Sequence, residues 1–365
     1  MERKVYILLF IFFGLAILSP GQSTQDRSGK SLSLAVDNLN FFRNNEFFSD
    51  LAEGYTLLGF HLTPTLKYSV NDRLIIRGGL HALKYSGRDD FRKISPYFSL
   101  QYRLAPKLSM TLGSYSITNN HRLAAPLFSE ERRIYAYVEN GLNFKYHHPD
   151  FFADLWLDWD QFIYRNDPFR EKFTAGGSFD WRVTSGKSKV NLSIPLQLLV
   201  RHKGGQINTS GLPTTSVFNY ASGVKLDFSI SNSFLRTAGI KFLYLAYKEL
   251  SDKEVNLYKN GSAFYPVAEA KSEHFSLRVG YWHAQKFYAP SGHPMFQNIS
   301  VDDVNRGERK RHMMTTGFRY RRQVVQGMVL SVLWDNYMNT GNGNWDYTYS
   351  LSVSFKEDFF LKKVR

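Results

Sequence analysis

Two serine–histidine proximities in this chain can be drawn as a nucleophile and its base: Ser291 with His293, and Ser129 with His121. A hydroxyl held within hydrogen-bond reach of an imidazole can cleave an ester, provided both sit where a substrate can reach them. Among ten histidines, however, two such coincidences are expected by chance. His147 and His148 beside Asp150 have the side chains of a metal site, but they fall in a predicted tight turn, where a structural role is favoured. Cysteine is absent, which removes disulfides, thiolate ligands and thiol nucleophiles. No glycine-rich phosphate loop is present. The expectation is therefore a protein that is not an enzyme, with no catalytic residues, no metal and no cofactor.

Binding chemistry is better represented. Asn119 to Phe128 is the densest cluster of special residues, and folded inward it would set His121 and Arg122 at a constriction. Tyr288 to Phe296, stiffened by Pro290, Gly292 and Pro294, could act as a lid or binding surface. The stretch Asn38 to Gly54 carries Phe41, Phe42, Phe47 and Phe48 among charges, suited to lipid acyl chains, to a partner lipoprotein, or to packing in a mouth.

The elements that must position these residues follow a period of two. Trp345, Tyr347, Tyr349, Leu351, Val353 and Phe355 interleave with Asp346, Thr348, Ser350, Ser352, Ser354 and Lys356. Such alternation is a strand with one apolar and one polar face. Aromatics make up 16% of residues while mean hydropathy is slightly negative. That combination suits a transmembrane barrel, in which only alternate residues meet lipid and aromatic belts mark both interfaces.

Eight longer connections and seven short turns predict sixteen antiparallel strands in one all-β barrel, with fourteen or eighteen as the alternatives. Pro266 makes Gly261 to Ala270 a poor strand unless it bulges, but the even strand number requires it. Glu2, Arg3 and Lys4, the apolar run Val5 to Leu18, and Ser19 to Gly21 predict a signal peptide over 1–21, leaving 22–365 as the barrel.

The polar phase of the strands assigns Arg77, Arg103, Asp154, Asp158, Arg278 and Arg319 to the lumen. Acidic residues collect near Asp158 and basic ones on either side, so opposed charge rows would face each other across it. The net charge of +14 is dispersed and no nucleic-acid motif accompanies it, so nucleic acid is not an expected partner. Lipid phosphates, lipopolysaccharide and small polar solutes are.

The runs Phe41-Phe42-Arg43-Asn44-Asn45-Glu46, Gly54-Tyr55-Thr56-Leu57, Asn120-His121-Arg122-Leu123 and Tyr288-Ala289-Pro290 resemble porin-like outer-membrane barrels of Bacteroidota. The resemblance implies fold and location and supplies no substrate. One departure is that barrel chains commonly end on an aromatic, whereas this one continues past Phe360 into Leu361 to Arg365. The leading expectation is passage or binding of small hydrophilic solutes. A plugged barrel that acts as an interaction or assembly partner for a surface lipoprotein or polysaccharide is second, and a lipid-modifying enzyme third; a homo-oligomer or a lipoprotein is the partner expected besides lipid and solute.

Overall fold

The computed structural model describes residues 29–364 apart from 118, 185, 187, 231–233 and 252–254. The predicted signal peptide lies outside the described residues. Sixteen strands follow in order: β1 Ser31–Glu46, β2 Tyr55–Ser69, β3 Leu74–Tyr85, β4 Lys93–Ala105, β5 Leu108–Ser116, β6 Val138–His147, β7 Phe151–Gln161 and β8 Glu171–Arg182. The second half comprises β9 Val190–Gly204, β10 Thr215–Ser229, β11 Thr237–Glu249, β12 Asn260–Lys271, β13 Phe275–Gln285, β14 Lys310–Val325, β15 Met328–Asn339 and β16 Trp345–Lys363. Each strand pairs antiparallel with its sequence neighbours, and β1 pairs with β16 from Ser31↔Lys363 to Glu46↔Tyr347 to close the barrel. Closure satisfies every strand edge, which is what allows strands to cross a bilayer.

Leu361 to Lys363 lengthen β16: Lys362 and Lys363 pair with Leu32 and Ser31 at the start of β1, and Leu361 falls at a register shift. The first strand is longer than expected. The segment expected to be an outer loop from Asn38 is strand as far as Glu46, leaving only 47–54 as the connection. Asn38 and Asn40 lie on the outward phase of β1, opposite Phe355 and Val353, and so break the apolar rhythm without breaking the ladder.

Pro266 sits in β12 without a bulge. It pairs with Phe242 of β11 in continuous register, and the β13 register is the same on both sides of it, Phe264↔His283 and Val267↔Gly280. A proline lacking its N–H toward β13 therefore interrupts pairing without shifting it.

The outward face is apolar, with Leu58, Leu80, Phe98, Leu112, Leu277 and Trp334 all exposed. The inward face is less uniform than the alternation implies. In the outer half of β11 to β15 it carries Leu243, Leu245, Trp282, Met313 and Tyr337, which form one apolar core with Leu127, Phe287, Met295 and Phe296 from the loops. The barrel mouth is thus packed like a protein interior over this arc.

Candidate functional site

Two outer connections, 117–137 and 286–309, fold into the mouth and bind each other. Ser129 N donates to Ser291 O at 2.8 Å, His293 N to Ala125 O at 2.9 Å, and Gln297 Nε2 to Pro126 O at 3.2 Å. The first loop carries the short helix α1, Arg132–Tyr135, and a turn in which Asn119, Asn120, His121 and Arg122 have φ of 48°, 51°, 49° and 57°. Four consecutive non-glycine residues in the left-handed region cost about 1–2 kcal/mol each, so the surroundings must hold them there.

His121 supplies most of that hold. Its Nδ1 lies 3.0 Å from Asp154 Oδ2 and its Nε2 2.8 Å from Glu139 Oε2, so the doubly protonated ring donates to both carboxylates. The ring stacks on Trp156 with centroids 3.9 Å apart, and Trp156 in turn lies over Gly176, where any Cβ would meet its ring at 2.1 Å. Burial by itself lowers the imidazole pKa, but the hydrogen bonds and charges of Asp154 and Glu139 outweigh it and push the pKa up to about 9. Arg122 lies 3.4 Å over the Phe152 ring.

Charges of both signs face this loop from the barrel wall, and the loop pairs with them. On the acidic side Asp154 and Glu139 hold His121, and Asp158 lies 4.0 Å from Arg132. On the basic side Arg43 binds Glu131 at 2.8 Å and Arg319 binds Glu130. The charges of Arg319 and Arg278 hold the Glu130 carboxyl down at about 2 against the opposing effect of burial. Glu131 also accepts from Asn45 Nδ2 at 3.0 Å and from the Tyr55 hydroxyl. The run Glu130-Glu131-Arg132 carries charges of both signs in sequence, but nothing in its spacing names the partners across the lumen.

The remaining lumen candidates separate. Arg278 pairs with Asp335 at 3.2 Å and shares with Arg319 the wall of a cavity of about 160 Å³. Arg77 lines a different cavity, of about 330 Å³, with Asp37, Thr63 and Lys356. Arg103 is exposed near the end of β4, beside the turn to β5.

Neither serine–histidine pair drawn from sequence forms. His293 is buried, with Nδ1 accepting from Met295 N and Nε2 3.3 Å from the Tyr337 hydroxyl, while Ser291 Oγ accepts from Arg201. Its burial, with the charge of Arg43, lowers the His293 pKa to about 3. Ser129 Oγ accepts from Glu131 N, and His121 is committed to its carboxylates. His148 and Asp150 are 3.8 Å apart, and the His147 ring packs against Phe152.

Hydroxyl–imidazole contacts form elsewhere, between strands. Thr63 Oγ1 and His81 Nδ1 are 2.8 Å apart but buried in the lumen. Ser216 Oγ and His202 Nδ1 are also 2.8 Å apart and directly opposed in the β9–β10 register. They share the phase of Val200, Leu198, Phe218 and Tyr220, which faces lipid at the outer rim. His202 stacks on Phe173, which stacks on Trp159, so the pair sits in the aromatic belt. A Cβ at position 204 would come 2.6 Å from Thr214 Cγ2 and 3.1 Å from His202 Nε2, so Gly204 lets Thr214 and the imidazole edge lie close together. Only the register of two strands brings these residues together, which is why local spacing did not reveal them.

A second polar cluster faces lipid across the barrel. Thr56 Oγ1 donates to Asn44 Oδ1 at 2.5 Å, and Asn44 Nδ2 donates to Glu46 Oε1 at 2.6 Å and to the Tyr349 hydroxyl at 3.0 Å.

The sequence model of a family described as lipid A 3'-O-deacylase-type matches residues 23–364. The chain belongs to that family. The membership overturns the expectation that the barrel is not an enzyme. No curated protein matches the chain.

Among solved structures the chain is similar to the outer membrane protein OprD of Pseudomonas aeruginosa, at 8% identity over 92% of this chain and 97% of that one, with a TM-score of 0.52. It is similar to a loop-deletion form of OmpT of Vibrio cholerae (12% identity, 90% and 100% covered, TM-score 0.50) and to OccAB3 of Acinetobacter baumannii (11%, 90% and 99%, TM-score 0.50). At these identities the likeness shows the porin-like fold and nothing of substrate. A sixteen-stranded barrel of this kind belongs to the outer membrane.

Proposed function

We propose that this protein is an outer-membrane ester hydrolase that removes an acyl chain from lipid A, with Ser216 as nucleophile and His202 as base. The observation that carries the reading is the 2.8 Å contact between these side chains on the lipid-facing rim. Family membership supports the substrate, since an acylated glycolipid of the outer leaflet meets the barrel at that height. The packed mouth counts against free passage of solutes, and Arg319, Asp154 and Asp158 are read as anchors for a plug.

In this reaction Ser216 Oγ attacks the ester carbonyl while His202 Nδ1 takes its proton and returns it to the departing sugar oxygen. Water, deprotonated by the same imidazole, then releases the fatty acid and restores the serine. A second reading, favoured by the Glu46–Asn44–Thr56 network, makes the Glu46 carboxylate the base for direct attack by water. Purified protein in mixed micelles with lipid A separates the two. Loss of fatty-acid release in Ser216→Ala and His202→Phe, with Glu46→Gln active, supports the first. Release unchanged in Ser216→Ala but lost in Glu46→Gln transfers the chemistry to β1.

A further inference from the structure

The lipid-facing wall beside the serine–histidine pair is not smooth. Between β10 and β13 it holds a groove of about 520 Å³ lined by Phe218, Tyr220, Tyr244, Lys248, Asn260 and Lys286, among others. Three aromatic rings form one side, with Phe218 and Tyr220 centroids 6.2 Å apart and Tyr220 and Tyr244 6.1 Å apart. Small residues, Ala246, Gly261 and Ser262, form the floor. Toward the rim, Lys248 lies opposite Phe218 in the β10–β11 register and opposite Asn260 in the β11–β12 register. Lys286 follows the last residue of β13 and lies 5.7 Å over the Tyr258 ring.

No carboxylate lines this groove among the described residues. Lys67, Lys225 and Lys271, by contrast, each lie against a carboxylate, of Asp358, Asp227 and Glu269. A groove with aromatics below and two ammonium groups above complements a molecule with acyl chains below and anionic groups at headgroup height.

The register fixes the spacing. Ser216 precedes Phe218 by two residues on the same face, so it is a diagonal neighbour of Lys248, about 7–8 Å away between backbones. Lys286 lies at the end of β13, two strands beyond β11, which sets the lysines about 10 Å apart at ordinary strand spacing.

We infer that this groove reads phosphate on the substrate: it docks a phosphorylated glycolipid of the outer leaflet through Lys248 and Lys286, with its acyl chains on Phe218, Tyr220 and Tyr244. The inference rests on the proposed ester hydrolysis for its purpose, but its test does not depend on turnover. Binding of bis-phosphorylated lipid A and of chemically dephosphorylated lipid A to folded Ser216→Ala protein in detergent is measured by native mass spectrometry. Two surface cation–phosphate contacts predict binding of the phosphorylated form about 30-fold tighter. The double variant Lys248→Gln/Lys286→Gln, in the same background, should lose that preference while binding the dephosphorylated form as before.

Equal binding of the two lipids, or a preference that survives the double substitution, overturns the inference. Phosphate-dependent binding in a protein whose wild type releases no fatty acid upholds the groove and removes the hydrolase reading. Hydrolysis without phosphate preference does the reverse.

Discussion

The plug should open at alkaline pH, and His121 should set where. With its pKa at 6.5 in a released loop and about 9 in the packed one, the proton binds the packed state more tightly. The stabilisation is therefore full below pH 6.5 and is lost as pH rises through about 9. Worked at pH 7, the difference amounts to about 2–3 kcal/mol in favour of the closed loop; at pH 9 less than about 1 kcal/mol remains. The open-to-closed ratio should thus rise by roughly one to two orders of magnitude between those two values, helped by the left-handed turn at 119–122, which gains by relaxing. Planar-bilayer conductance of the purified barrel reads this directly: small, rare currents at pH 7, and larger, more frequent ones by pH 9.5. His121→Gln keeps one hydrogen bond but cannot carry the proton, so its conductance should be high already at pH 7 and flat across the range. Wild-type current that is the same at pH 7 and 9.5, or a substituted barrel with the wild-type pH profile, would refute the reasoning.

Three other perturbations follow from the same contacts. Gly176→Ala puts a Cβ into the Trp156 ring, and the overpacking of about 1–3 kcal/mol should lower the temperature at which the folded band disappears in heat-modifiability gels; an unchanged transition would mean the ring has room. Glu130 contributes stability above its ordinary range that is lost as pH falls toward about 2, so Arg319→Ala should move the onset of acid-induced conductance to higher pH. Lys248→Gln should raise KM for phosphorylated lipid A several-fold with little change in kcat, measured by fatty-acid release, whereas a fall in kcat alone would place Lys248 in the chemistry instead.

Wall and filling differ in how much of them the sequence shows. Alternation in β9 and β16 is continuous, so faces and strand number can be read directly, and even the proline-bearing β12 follows from parity. β1 was cut short because Asn38 and Asn40 put amides on the outward phase. For the 119–128 cluster the sequence leaves open an inward fold or a loop packed on the rim, because what decides it lies in pairings across the lumen, Glu131 with Arg43 and His121 with Asp154, between residues 88 and 33 positions apart. Sequence proximity points to Ser291 and His293, which are two residues apart in the chain and yet bonded to other partners. The pair that does form joins two strands through their register, and only the folded ladder shows it.

The most direct test of lipid A hydrolysis at the rim is the mass of the lipid itself. Lipid A incubated with purified wild-type protein should lose one ester-linked acyl chain, and with Ser216→Ala its mass should stay unchanged. Intact lipid A after prolonged exposure to folded wild-type protein, or the same loss of mass with the alanine variant, would contradict the account.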